Sequence, residues 1–256
     1  MISMTIIGNG NVAFHLIKTF LAQKTTDPSN FVLTQVWARD ISKFENSSLP
    51  IVEKIEALQP TDITIIAVSD RSIAEVSKLL PYQNHLVVHT SGSTPFSAID
   101  DKHKRGVFYP LQTFSKTKEI DFRDIPILIE TENKDNFEVL NKMAQSISFK
   151  VQELNGLQRQ NLHIAAVFAC NFTNHLYALA AEICENHQID FQLLHTLIEE
   201  TTQKIKTISP KEAQTGPAKR NDFTTLEKHI SLLEDPFQKE IYQLLTQSIQ
   251  TYDKKL

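Results

Sequence analysis

The chain is short of glycine. It has six glycines in 256 residues, about a third of the usual share of ~7 %. A backbone this poor in glycine has few places for left-handed conformations or for close approach to a ligand. The positions it does keep are therefore informative: Gly8, Gly10, Gly92, Gly106, Gly156 and Gly216. Cysteine is scarcer still, with only Cys170 and Cys184. They lie 14 residues apart in one helical stretch, about 21 Å along the axis at ~1.5 Å per residue. They cannot pair within a chain, so a disulfide framework and a cysteine zinc site are excluded. The first five residues, Met1 to Thr5, show neither a basic region nor an apolar run of signal-peptide type. No apolar run is expected to approach the ~18–20 residues of a membrane span. The expectation is a reduced, cytoplasmic setting without a membrane partner. The net charge of −4 argues against nucleic acid as a partner. HExxH, GxSxG and GxxxxGK[ST] are all missing, which removes the zincin, α/β-hydrolase and P-loop classes. No metal site is expected.

What is present is ordinary globular composition, 41 % hydrophobic and 22 % charged, arranged in two patterns. The first 154 residues alternate strand-like and helix-like segments. Strands are predicted at 4–7, 31–38, 62–68, 85–89, 107–109, 125–130 and 150–153, and helices at 11–23, 53–58, 71–80 and 134–148. The DITIIAV stretch at 62–68 is a continuous β-branched run of the kind buried on both faces. This order implies βαβ units, hence an α/β, Rossmann-type, mostly parallel sheet. From residue 155 to 256 only helices are predicted: 157–186, 191–208, 223–234 and 236–254, with a polar loop at 209–222. The expected organisation is a nucleotide-binding domain over 1–154 and an all-helical domain over 155–256. The segment from Ile164 to Cys184 is apolar on nearly all faces, as expected for a helix buried in a subunit interface.

The strongest local signal is Gly8-Asn9-Gly10-Asn11-Val12-Ala13. It matches GxGxxA directly after a strand and opens a helix. Gly8 suits a tight turn, Gly10 a close approach to a pyrophosphate, and Ala13 close helix–strand packing; the helix N–H groups hold the phosphates. Alone, the same pattern occurs at ordinary βα turns; here the βαβ order around it supplies the context. At the end of the second strand Arg39 precedes Asp40. Arg39 suits the fork for a 2′-phosphate, which favours NADP(H) over NAD(H), and Asp40 suits the cap of a following helical turn. Val68, Ser69 and Asp70 follow one strand, and Thr90, Ser91 and Gly92 the next. Both are at the carboxyl ends, where ligands of open α/β sheets lie, although Ser, Asp and Gly are also common turn residues. On a helical wheel, His163, Asn171 and Asn174 give the long apolar helix one polar face, with His163 and Asn171 about 12 Å apart in rise. Such residues serve equally as satisfied core groups. Gly216 and Arg220 occupy the long helix–helix loop, where Arg220 suits a bidentate carboxylate contact.

Together these segments resemble a known family: Rossmann-like proteins whose C-terminal half is a helical domain of formerly unknown function, similar to the C-terminal domain of 6-phosphogluconate dehydrogenase. The matching residues are Ile7 to Ala13, His89 to Gly92, Tyr109 to Phe114, His163 to Phe172 and Thr215 to Asp222. The resemblance implies an NADP-dependent oxidoreductase, homodimeric through its helical domains. Its wider relatives are pyrroline-5-carboxylate reductases, β-hydroxyacid dehydrogenases and ketopantoate reductases. The β-hydroxyacid enzymes carry a catalytic Lys on the first long helix of that domain, where this chain offers His163; Cys170 stands where Ser commonly precedes the Asn. The expected reaction is hydride transfer between NADP(H) and a small keto or hydroxy acid. His163 would act as general acid, imidazole being suited to proton delivery at neutral pH. Asn171 would orient the substrate, and Arg220, with Gln112 and Gly216, would bind it. The alternatives are an imine reductase of the pyrroline-5-carboxylate type and a non-catalytic nucleotide sensor.

Overall fold

The computed structural model describes residues 1–26, 31–40 and 49–252. The chain forms two compact units, Met1–Cys170 and Asn171–Leu256.

The first unit is built on seven strands: β1 (Ile2–Ile7), β2 (Phe31–Trp37), β3 (Ile63–Ile66), β4 (Leu86–His89), β5 (Lys104–Pro110), β6 (Ile127–Thr131) and β7 (Val151–Glu153). Their order in the sheet is β2-β1-β3-β4-β5-β6-β7. All neighbours are parallel except β5 and β6, so the mostly parallel, Rossmann-type α/β sheet is what the chain forms. Alternation along the strands feeds two cores. Met4, Ile6, Ile63 and Ile65 pack under α1 (Asn11–Thr26) and α3 (Lys134–Gln145), through Leu16 and Phe20 of the first and Leu140 and Met143 of the second. Ile7, Ile66 and Val87 face the opposite side, against Ile73, Val76 and Leu80 on and just after α2 (Ile73–Leu79). Full burial of each such side chain contributes roughly 1.5–3 kcal/mol. Every residue of β3 is buried, as its β-branched run requires.

Register decides what happens at one end of this sheet. Ile7 pairs with both Trp37 and Ile66, and Ile66 pairs with His89. Four strands thus finish level, and the next residues, Gly8, Ala38, Ala67 and Thr90, form one rim. The order changes direction there: β2 lies on one side of β1 and β3 on the other. That is the switch point where open α/β sheets hold ligands.

Some boundaries differ from the expectation for physical reasons. β5 starts at Lys104, ahead of the apolar run, because Lys104 and Arg105 already pair with Leu86 and Val87 of β4. The segment expected as helix 71–80 opens with a 3₁₀ turn, Asp70–Ser72, and the one expected at 53–58 is only the 3₁₀ turn Ile55–Ala57.

The helical run begins at Gly156. It reads α4 (Gly156–Ala166), a π-helical turn (Val167–Phe172) and α5 (Thr173–Asn186), so the 3.6-residue period used for the helical wheel is interrupted in its middle. One 18-residue window in this 31-residue stretch has mean hydropathy 1.3 and is long and apolar enough to cross a bilayer. This corrects the expectation that no stretch reaches that size: Asn171, Asn174 and His175 break the apolar run without lowering the mean far enough. The second unit continues with α6 (His195–Lys204), α7 (Pro210–Ala213), α8 (Pro217–Arg220), α9 (Phe223–Leu232) and α10 (Pro236–Tyr252). The predicted last residues of that helix, 253 and 254, lie outside the described residues. The expected loop 209–222 contains two one-turn helices. Ser209 and Glu212 close a capping box on α7, an S-x-x-E signal legible in sequence. Among the described residues the apolar side chains this unit buries are Cys184, Ala218 and Leu226, while Leu193, Leu197, Phe237 and Leu244 are more than 60 % exposed.

What ties α4 to the sheet is Arg159, a fully buried arginine. One terminal nitrogen, Nη2, meets Glu130 Oε2 on β6 at 2.8 Å. The other, Nη1, donates to the carbonyls of Ser91, Gly92 and Thr94 at 3.2, 3.0 and 2.8 Å. Removing the guanidinium leaves the mostly buried Glu130 carboxylate and three loop carbonyls without their partner. Arg159→Met is expected to lower the unfolding free energy by about 3–5 kcal/mol, read from the urea midpoint; a loss below ~1 kcal/mol would contradict this role for the guanidinium.

Candidate functional site

The rim opens on a cleft of about 480 Å³. Its floor is the turn after β1. Gly8 has φ of 132°, and a Cβ there would sit 2.1 Å from the Ala67 carbonyl oxygen. The turn therefore needs glycine both for its backbone conformation and for the passage of β3 behind it. The Gly8 N–H donates to Trp37 O at 2.8 Å, and the Ala67 N–H to Ile7 O at 2.7 Å. Gly10 is the opposite case. A Cβ on it would meet no atom within 4 Å, because its face is open to the cleft. Just beyond it α1 begins at Asn11, and the first amide to find an intrahelical acceptor is that of Phe14, on Gly10 O at 2.9 Å. An open glycine face at the N-terminus of a 16-residue helix is a place for an anion. The residues present thus fit the pyrophosphate of a dinucleotide.

Of the residues predicted for a cofactor, Gly8, Asn9, Gly10, Asn11, Val12, Arg39, Val68, Ser69 and Thr90 line this cleft. Asn9 donates from Nδ2 to Asp40 O at 2.8 Å, and Asn11 from Nδ2 to Phe114 O at 2.8 Å, so both amides brace the walls. Ala13 lies fully buried behind the turn. Asp70, Ser91 and Gly92 are not on the lining; they build the loop behind it. Ser93 Oγ donates to Asp70 Oδ2 at 2.6 Å. Ser91 Oγ accepts from the N–H groups of Ser93 and Thr94 at 3.2 and 3.0 Å. Trp37, Ala38, Asp40, Ala67, Ser72 and Val76 also line the cleft and were not anticipated. Sheet register brings in the first four, the 3₁₀ turn brings in Ser72, and α2 brings in Val76. Asp40 does reach the site, but the helical turn it was expected to cap lies outside the described residues.

Gly92 sits in a second cluster. A Cβ on it would be 2.6 Å from His163 Nδ1 and 2.7 Å from Tyr109 Cζ. Over this glycine the Tyr109 hydroxyl meets His163 Nδ1 at 3.1 Å, with the rings edge to face at 6.0 Å. His163 thus stands against Gly92, which is two residues along the chain from the cleft-lining Thr90. The partners that pin this loop, Arg159 and Glu130, were not anticipated. Arginine is seldom fully buried, and no spacing in the sequence marked it. Gln112 is exposed, its Oε1 accepting from the Thr113 N–H at 2.8 Å. In the second unit, Asn171 is exposed in the π turn, Gly216 caps α8 with φ of 101°, and Arg220 is exposed at that helix's end.

His89 ends β4 with no exposure to solvent. Its Nδ1 accepts from the Ser91 N–H at 3.2 Å and its Nε2 faces Pro95 O at 3.3 Å. Only the neutral ring with its proton on Nε2 satisfies both contacts. Burial first, and the nearby Arg159 cation as well, push its pKa down to about 4. Between pH ~6.5 and ~4 the unfolded chain takes up a proton that the folded chain refuses. Stability is therefore full above pH ~6.5 and lost as the pH falls towards 4, by roughly 3 kcal/mol at ~1.36 kcal/mol per pH unit. In His89→Asn, which keeps an acceptor for the Ser91 N–H, the urea midpoint should fall less between pH 7 and 4.5 than in the parent. Equal falls would remove His89 as the cause.

Comparison with known proteins adds the following. Residues 125–249 match the domain of unknown function DUF2520. No protein with a curated description matches the sequence. Among solved structures, the chain is 12 % identical to the Plasmodium falciparum pyrroline carboxylate reductase, solved with NADP bound, over 98 % of this chain and 97 % of the other, at a TM-score of 0.59. It is 17 % identical to an imine reductase from Myxococcus stipitatus in complex with NADP⁺, over 99 % and 93 % of the two chains, at 0.61. At those identities the likeness is one of fold. A Bacteroides fragilis protein described as an NADP oxidoreductase is nearer, with 34 % identity over 97 % of this chain and 98 % of the other and a TM-score of 0.87. With a third of its residues shared over nearly the full length of both chains, the protein belongs to the family of that Bacteroides fragilis NADP oxidoreductase.

Proposed function

We propose that the chain is an NADP(H)-dependent oxidoreductase acting on a small keto or hydroxy acid. The observation that carries this reading is the open face of Gly10 at the start of α1, on the rim where four parallel strands finish level. The names of the family member and of the two fold neighbours support the cofactor and the oxidoreductase class, not the keto or hydroxy acid. The N–H groups opening α1 would hold the pyrophosphate, with Asn9 and Asn11 bracing the walls. Arg39, exposed on the rim, would take the 2′-phosphate, which selects NADP(H) over NAD(H). Val68, Ser69 and Thr90 would line the nicotinamide end. When bound, the cofactor supplies or accepts the hydride. The chain's own contribution is the proton: His163 delivers it to the carbonyl oxygen during reduction and recovers it in the reverse direction. Asn171, Gln112, Gly216 and Arg220 are proposed for the substrate on their chemistry, Arg220 for a carboxylate.

A second reading, reduction of an imine, draws on the neighbours named as pyrroline carboxylate reductase and imine reductase. Ketopantoate has no such neighbour behind it, and nothing in the site selects it among keto acids. The two chemistries differ at one residue. An alkoxide needs a proton, whereas an iminium arrives with its own. A pairing of two chains through the helical half, in the cytoplasm, belongs to the same proposal. It is motivated by how few side chains that half buries alone, since a helical unit with so small a core gains by covering its apolar faces.

NADPH should bind saturably in a fluorescence titration, and Arg39→Ala should weaken NADPH while leaving NADH unchanged. Absence of saturable binding would remove both oxidoreductase readings. Binding without turnover across a panel of keto and imino acids would favour a sensor. His163→Ala should slow a carbonyl substrate by about 10²–10⁴-fold and leave an imine substrate unaffected; an unchanged carbonyl rate would take His163 out of the mechanism.

A further inference from the structure

The geometry points to Tyr109 as the positioning residue that sets which nitrogen of His163 carries the proton. Tyr109 is next to last in β5 and is 9 % exposed. Its hydroxyl lies 3.1 Å from His163 Nδ1, and among the described residues neither atom has another hydrogen-bond partner. Two arrangements are open to such a contact. If Nδ1–H donates to the phenol oxygen, the phenol's own proton is left inside the protein without an acceptor, at a cost of about 1–3 kcal/mol. If the phenol donates to Nδ1, every proton at the contact is used. Burial raises the acidity threshold of Tyr109, so the phenol keeps the proton this second arrangement needs. Nδ1 is then an acceptor, and the exchangeable proton of the neutral ring is on Nε2.

The contact is enforced from three sides. Tyr109 is anchored by ladders on both edges of β5, to β4 and to β6. Gly92 leaves both rings the room that a Cβ would fill, at 2.6 Å from the imidazole and 2.7 Å from the phenol. Arg159, one turn before His163 on α4, holds the Gly92 carbonyl at 3.0 Å. One residue therefore fixes both the loop and the helix that bring the two rings together. The consequence for catalysis rests on His163 being the proton donor, as proposed above: once Nδ1 has also taken a proton from solvent, the imidazolium would deliver from Nε2 and be left neutral with Nδ1–H on the phenol oxygen, returning to the resting form by exchange with solvent, and Tyr109 would never touch substrate.

The test is the tautomer itself, read by ¹⁵N–¹H correlation spectra of the full-length protein labelled at histidine, at neutral pH, with the His163 signals assigned by their loss in His163→Asn. The expected result is an Nε2–H pattern for His163 in the parent and a mixture of both neutral forms in Tyr109→Phe. The affinity of that variant for NADPH should be unchanged, which shows that the rim has kept its shape. An Nδ1–H pattern in the parent, or the same pattern in parent and Tyr109→Phe, would overturn the assignment. No turnover is measured, so a failure here is distinct from a failure of His163 as the acid. Should the tautomer respond to Tyr109→Phe while His163→Ala leaves carbonyl reduction intact, the assignment of Tyr109 stands and the catalytic role of His163 falls.

Discussion

One guanidinium with no access to water organises this end of the molecule. Arg159 is held by a carboxylate on β6 and by three carbonyls of the loop that follows β4. Its two terminal nitrogens reach four oxygens on β6 and the loop, a span that the single ammonium of lysine does not offer. Its burial costs several kcal/mol in lost hydration, recovered only while all partners remain in place. The loop Ser91–Thr94, β6 and α4 are thus tied to one another, and everything mounted on them shares the tie.

That constraint gives two nearby histidines different duties. His89 lies under the loop, locked neutral between the Ser91 N–H and the Pro95 carbonyl, and the same Arg159 cation that shapes the loop disfavours a second charge beside it. His163 lies above the loop, with one nitrogen turned to a phenol and the ring half-buried. A buried histidine whose two nitrogens are both used is structural. A partly exposed one with a nitrogen to spare is available for chemistry. The cleft beside them is lined by glycine backbone, small polar groups and apolar side chains such as Trp37 and Val68, with Arg39 and Asp40 the formal charges among the described residues. An elongated ligand is then held mainly by amide N–H groups at a helix start.

Much of this was legible before any coordinates. The GxGxxA turn, the βαβ order and the β-branched run of β3 are local patterns with direct physical meaning, and the sheet they imply is the sheet that forms. Nine of the thirteen residues expected around the cofactor are on the cleft wall. The other four stand behind it, because Ala13, Asp70, Ser91 and Gly92 shape the turns that carry the lining. What could not be read was register and long-range pairing. Trp37, Ala38 and Ala67 reach the rim because Ile7 pairs with Trp37 and Ile66. Arg159 finds Glu130 29 residues away and Ser91 68 away. No spacing rule joins such positions. The π turn at 167–172 likewise has no signature in composition, and it undoes a helical wheel drawn across it.

The two glycines of the cofactor turn face in opposite directions. Gly8 is pressed against the backbone of the neighbouring strand, and Gly10 looks into empty space. A methyl group at the first position would have to part β1 from β3; at the second it would only fill the mouth of the cleft. A change at position 10 or on the rim around Arg39 is therefore felt first by the ligand, whereas a change at position 8 is felt first by the sheet, as mortar between two strands.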